Sequence, residues 1–134
     1  MDKVQLELIR GYVEKALQKL SVAKELLSNQ HYDDAVSRAY YAAFHAAQAA
    51  LLTEGQQAES HKGVATLFGL FLVRTGKVEK KCGKILANLK DNRESGDYEA
   101  LSFIDADTAA RAVDEADYFC NAVRKYLVNN NLLE

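Results

Sequence analysis

Residues 37–52 read Ser37-Arg38-Ala39-Tyr40-Tyr41-Ala42-Ala43-Phe44-His45-Ala46-Ala47-Gln48-Ala49-Ala50-Leu51-Leu52. Seven alanines fall between positions 39 and 50, and alanine gives up least on entering a helix. Upstream, Asp33 and Asp34 stand where a helix N-terminus favours negative charge, after the interruption Ser28-Asn29-Gln30. The stretch therefore predicts a helix over about 31–53. On its wheel Val36, Tyr40, Ala43, Ala47 and Leu51 form a core side. Asp34, Arg38, Tyr41, Ala42, His45, Ala49 and Leu52 share the other, with Arg38 and His45 about 20° apart and roughly 10 Å apart along the axis.

Outward from this helix the same period recurs. Over residues 3–28, Val4, Leu8, Tyr12, Ala16, Leu20, Ala23 and Leu27 recur at spacings of three and four, which predicts one long amphipathic helix. Glu54-Gly55-Gln56-Gln57 breaks the pattern, and Ser60 is placed to cap a third helix that ends around Thr75-Gly76. A fourth, about 77–93, sets Val78, Cys82, Ile85, Leu86 and Leu89 against a lysine face of Lys77, Lys80, Lys81 and Lys84, and Glu94–Tyr98 reads as a turn. The last begins near Asp105 or Asp107 and runs to about Asn129. Its stripe is Ala109, Ala112, Val113, Ala116, Phe119, Cys120, Val123 and Leu127, and the tail 129–131 is expected to fray. An all-α, up-and-down bundle of about five helices follows, as one domain spanning 1–134.

Composition agrees. The chain of 134 residues has 20 Ala and 17 Leu, no proline and no tryptophan, with 49% hydrophobic and 27% charged residues, which excludes disorder and a sheet-rich fold. The net charge of −2 hides a segregation. Residues 61–93 hold eight Lys/Arg against two Asp/Glu, and residues 97–134 hold eight Asp/Glu against three Lys/Arg. The basic segment reads either as a solvated face or as a strip for a polyanion. Cys82 and Cys120 are far apart and read as core residues, which suits a reducing, cytoplasmic setting. No stretch reaches 18 apolar residues, so no membrane partner is expected, and the three histidines have no recognised metal-ligand spacing. No cofactor is implied.

A face that combines a carboxylate, a guanidinium, a phenol and an imidazole with small alanines suggests a groove or an interface. Alanines 42, 46 and 49 would let another helix approach closely; were it the same helix of a second copy, two Arg38 and two His45 would converge on a two-fold axis. That matters because metal-independent RNA cleavage needs a base for the 2′-OH, an acid for the leaving oxygen and a cation for the phosphate. Against this stands the reading of Arg38 and His45 as structural hydrogen-bonding groups. His61 and Lys62 open the third helix, where free backbone N–H groups favour an anion, or His61 is a cap or surface residue. His31 reads as a surface residue, Tyr40 as core and Tyr41 as an interface residue.

Ser37-Arg38-Ala39-Tyr40-Tyr41-Ala42-Ala43-Phe44-His45-Ala46-Ala47, then Ser60-His61-Lys62-Gly63-Val64, then Arg93-Glu94-Ser95-Gly96-Asp97-Tyr98 resembles the HEPN family of small prokaryotic helical proteins, in the branch with an SRxYYAxFHAA-type second helix. The family hallmark is an arginine, four to six residues, then a histidine; Arg38 and His45 fit it with six between. The resemblance implies a helical bundle that forms a homodimer through its second helix. It implies Arg38 and His45 as a composite, metal-independent endoribonuclease site at the dimer cleft; Asp34 and Tyr41, by their place on the same helix face, and His61 and Lys62, by theirs at the start of the third helix, are the possible substrate or interface residues. It further implies a toxin paired with a minimal nucleotidyltransferase antitoxin. The alternative is a non-catalytic accessory subunit that docks such a partner and helps bind nucleotide or RNA. Two positions depart from the pattern. Ala39 replaces the polar residue that commonly follows the arginine in active toxins, and Ala47 stands where members silenced by nucleotide transfer carry a tyrosine.

Overall fold

The computed structural model describes residues 1–98 and 103–134, the side chains of 95–98 excepted. It contains α1 (Lys3–Ser28), α2 (Tyr32–Leu52), α3 (His61–Phe68), α4 (Lys80–Tyr98) and α5 (Ala106–Asn129), the all-α bundle that the period dictates. A π-type turn over Gly69–Val73 continues α3, with Arg74 N donating to Gly69 O at 2.9 Å. The Ser60 and Asp105 caps form as read, each side-chain oxygen accepting a backbone N–H three residues on, from Gly63 and Thr108 respectively.

Side-chain pairs fix the topology. Gln5 Nε2 donates to Leu52 O at 2.8 Å and the Tyr12 ring stacks on His45, so α1 runs antiparallel to α2. Asp33 accepts from Ile104 N, and Thr53 Oγ1 meets Tyr126 Oη at 2.9 Å, so α2 and α5 run parallel. Lys77 pairs with Glu54, and Arg93 reaches Tyr41, so α4 runs antiparallel to α2. These four long helices form the up-and-down bundle. Residues 53–60 descend along α2 from its C-terminus, so that α3 starts beside Tyr40 and Phe44 and climbs again.

Helix α2 is the central element. Ala35, Val36, Ala39, Tyr40, Ala42, Ala43, Ala46, Ala47, Ala49, Ala50, Leu51 and Leu52 are all buried. The rest of the core comes from Ile9, Val13, Leu20, Val64, Phe68, Leu72, Leu89, the expected α5 stripe and both cysteines. Burial pushes the thiols up, Cys120 to about 12, which keeps both protonated and unreactive.

Several boundaries and faces differ from the sequence reading. The buried edge of α1 starts with Ile9 and Val13, while Val4 and Leu8 are exposed. Counted back from Ala16 in steps of three and four, position 9 faces α2 and position 8 turns past its edge. Helix α4 starts at Lys80 rather than 77, because Lys77 and Val78 donate backbone N–H groups to Leu72 O and finish the previous helix. Backbone helix continues through 94–98, where a turn was expected: one glycine costs about 1 kcal/mol against alanine and does not stop a helix by itself. The tail does not fray. Asn131 takes φ 60°, Leu132 N donates to Leu127 O, and Leu132 and Leu133 pack on the core. The same six-to-one backbone closure ends α1 at Gln30, α2 at Gly55 and the α3–π segment at Gly76. No helix among the described residues is long and apolar enough to cross a membrane.

Candidate functional site

Helix α2 exposes only a narrow strip. Its alanines at 42, 46 and 49 are 0–2% exposed; they lie on the edge next to His45, and the antiparallel α1 closes over that edge. The close approach that small residues permit is thus used by α1 within the chain, and Ala42, Ala49 and Leu52 leave the open face. What stays open is Asp34, Ser37, Arg38, Tyr41, His45 and Gln48. The strip lies between α1 on one side and the start of α3 with the end of α4 on the other.

His45 is half-buried at its centre. Its Nδ1 lies 3.0 Å from Gln48 Oε1, which can only accept, so Nδ1 carries the proton and Nε2 presents a lone pair. Burial lowers its pKa below the ordinary 6.5; the Gln48 bond opposes this, and Lys15 and Lys19 on α1 add to it. The result is an imidazole that is neutral at pH 7 and held in one tautomer. Arg38 lies exposed two turns away on the same strip. Asp34 is exposed in the first turn of α2.

Tyr41 and His61 belong to a second group beside it. Tyr41 Oη accepts from Arg93 Nη2 at 3.1 Å, and the Arg93 guanidinium lies 5.2 Å from the Tyr41 ring centroid and 5.8 Å from that of Tyr40. His61 Nδ1 lies 2.6 Å from Tyr40 Oη. Burial holds the Tyr40 phenol far above the ordinary tyrosine range, so it donates and His61 Nδ1 accepts. Burial, then Arg93 and Lys90, lower the pKa of His61, with Glu94 opposing. His61 is therefore engaged with the core tyrosine rather than serving as a free helix-start group, while Lys62 is exposed. Gly63 makes this possible, since a Cβ there would meet Ser60 Oγ at 2.8 Å, the oxygen that caps α3.

The structure thus places Arg38, His45, Tyr41 and Asp34 on one strip and sets His61 behind Tyr41, with ring centroids 5.8 Å apart. Sequence reasoning missed Gln48, Tyr12 and Arg93 as neighbours of the site. Gln48 was legible, three residues after His45 on a helix. Tyr12 was assigned to the core stripe, and Arg93 arrives from 52 residues away in sequence. Ala39 and Ala47 are wholly buried, so neither faces the strip. Among the described residues no cluster of three His, Cys, Asp or Glu could hold a metal ion. The lysine strip is partly engaged: Lys77 pairs with Glu54, and Lys81 lies 4.2 Å over the Tyr118 ring.

Comparison with known proteins gives the same family as the motifs. A family model described as HEPN domain matches residues 9–126. A protein of Methanocaldococcus jannaschii, provisionally named a toxin, is 38% identical over 127 residues, covering 95% of this chain and 94% of its own. A second from that organism, also provisionally named a toxin, is 30% identical over 122 residues, 91% of this chain and 83% of its own. A UPF0332 protein of Thermotoga maritima is 33% identical over 121 residues, 90% of this chain and 92% of its own. A crystal structure of a Thermus thermophilus protein superposes with a TM-score of 0.77 at 22% identity, covering 89% of this chain and 98% of that one, which supports the fold.

Proposed function

The chain belongs to the HEPN domain family, and on that premise we propose that it is a metal-independent endoribonuclease of toxin type, working as a homodimer. One observation carries the reading: a neutral, tautomer-fixed His45 shares a narrow exposed strip with the exposed guanidinium of Arg38. The Nε2 lone pair of His45 takes the proton of a ribose 2′-OH. The 2′-oxygen attacks phosphorus, and the bond to the 5′-oxygen breaks, giving a 2′,3′-cyclic phosphate and a 5′-hydroxyl. Arg38 balances the charge that builds on the phosphoryl oxygens. The departing oxygen needs a proton, and His45 of a second copy, in its imidazolium form, supplies it.

The test is RNA cleavage by the purified chain in EDTA. Wild type is expected to cleave, and His45→Ala to lose about 10²–10⁴-fold in rate; intact RNA in the wild-type reaction, with any co-expressed partner removed, would sink the reading. The toxin names of two relatives support a neutralising partner, and the motif resemblance points to a minimal nucleotidyltransferase in that role. Ala47, wholly buried against the core, offers that partner no hydroxyl to modify, so neutralisation here rests on binding over the strip. The non-catalytic accessory reading draws on Ala39, which puts no polar group beside Arg38; co-purification with a nucleotidyltransferase and no cleavage by the free chain would favour it.

A further inference from the structure

Beside His45 the structure holds a cleft of about 530 Å³, a size that takes small organic ligands. Its lining includes Tyr12, Gln48 and Leu52 from the helices and Gln56, Gln57 and Glu59 from the descending segment. Two of these walls are tied to the proposed base. The Tyr12 ring lies 6.2 Å from the His45 ring at 19°, and Gln48 holds His45 Nδ1. A molecule reacting at His45 therefore extends a neighbouring group into this cleft.

Charge decides which group. Among the described residues no lysine or arginine lines the cleft, and Glu59 carries its only fixed charge. A phosphate is repelled there. A flat, uncharged ring with hydrogen-bonding edges fits: Tyr12 supplies an aromatic ring, Leu52 an apolar surface, and each glutamine amide both a donor and an acceptor. The Glu59 carboxylate only accepts, so it favours a base with an exocyclic amino group and disfavours the carbonyl edge of uracil. We propose that this cleft is a nucleobase subsite that holds the base flanking the scissile phosphate and selects amino-bearing bases over uracil. The flanking position rests on the ribonuclease reading; the binding of a base does not.

The experiment titrates the ¹⁵N-labelled full chain with AMP, CMP, UMP and ribose 5-phosphate while following the side-chain amide signals of Gln56 and Gln57. AMP and CMP are expected to shift these signals, UMP to bind about tenfold more weakly, and ribose 5-phosphate to leave them in place. Tyr12→Ala should weaken AMP binding about tenfold, and Glu59→Gln, at an exposed position, should narrow the gap between CMP and UMP. Equal shifts with ribose 5-phosphate would overturn the proposal, and so would shifts that follow protein concentration alone, since a second copy would then fill the cleft. Base binding without RNA cleavage would keep the subsite and remove the nuclease. Cleavage indifferent to sequence, to Tyr12→Ala and to Glu59→Gln, with no amide shift, would do the reverse.

Discussion

His45 shows what one environment does to one side chain. Burial and two lysines lower its pKa, while Gln48 fixes which nitrogen is free. One copy of His45 must be deprotonated to act as base and its counterpart protonated to act as acid, so cleavage should peak near a pKa below 6.5 and fall on both sides of it. Lys15 and Lys19 oppose the imidazolium, so Lys15→Gln with Lys19→Gln should raise that pKa and move the acid limb of the rate profile to higher pH. A pH–rate profile on wild type and the double variant checks this; an acid limb that does not move would show that the lysines do not act on His45. Arg38 contributes charge rather than proton transfer. Arg38→Ala should lower kcat by about 10²–10³-fold with the pH limb unchanged. Both residues were legible from their seven-residue spacing. The lysines were not, because α1 meets α2 through tertiary packing that no local pattern encodes.

At the level of elements, the alanine run decides more than helicity. It lets α1 close over one edge of α2 and leaves the polar residues in a strip one or two side chains wide. The helical wheel gave both sides of α2 but not how far the core extends around it, since that depends on four neighbouring helices. An isolated amphipathic reading therefore left Ala42, Ala49 and Leu52 on the open face. Ala49→Leu should overpack the α1 edge and lower stability by about 1–3 kcal/mol, read as a lower urea midpoint at unchanged slope. The start of α3 is equally constrained. Gly63→Ala drives a methyl into Ser60 Oγ, so the cap that sets His61 against Tyr40 must give way, at about 1 kcal/mol. The companion Ser60→Ala removes the same bond without the methyl; if the cap is what Gly63 protects, the two single losses will be similar and the double variant will cost little more than either.

Across the whole molecule, both perturbed imidazoles lie where α1, α2, α3 and the end of α4 meet, and that junction couples folding to pH. His45 and His61 each hold a pKa below the unfolded value of 6.5. The unfolded chain therefore binds more protons than the native one as pH falls through 6.5. Stability contributed by these groups is fully present above that value and is lost as pH drops below it, until the native histidines also protonate. The thermal midpoint should be flat between pH 7 and 8 and fall toward pH 5.5. His61→Asn, which keeps a polar group beside Tyr40 but cannot titrate, should flatten part of that fall, and a variant with the full wild-type slope would exclude His61 as a contributor. The proposed dimer, if it pairs through the α2 strip, would deepen the effect, because a second copy would remove more water from His45 and disfavour its imidazolium further. The fall should then steepen with protein concentration in the range where sedimentation shows the chain pairing. A slope that is the same for monomer and dimer would place the interface away from His45 and leave each strip to act alone.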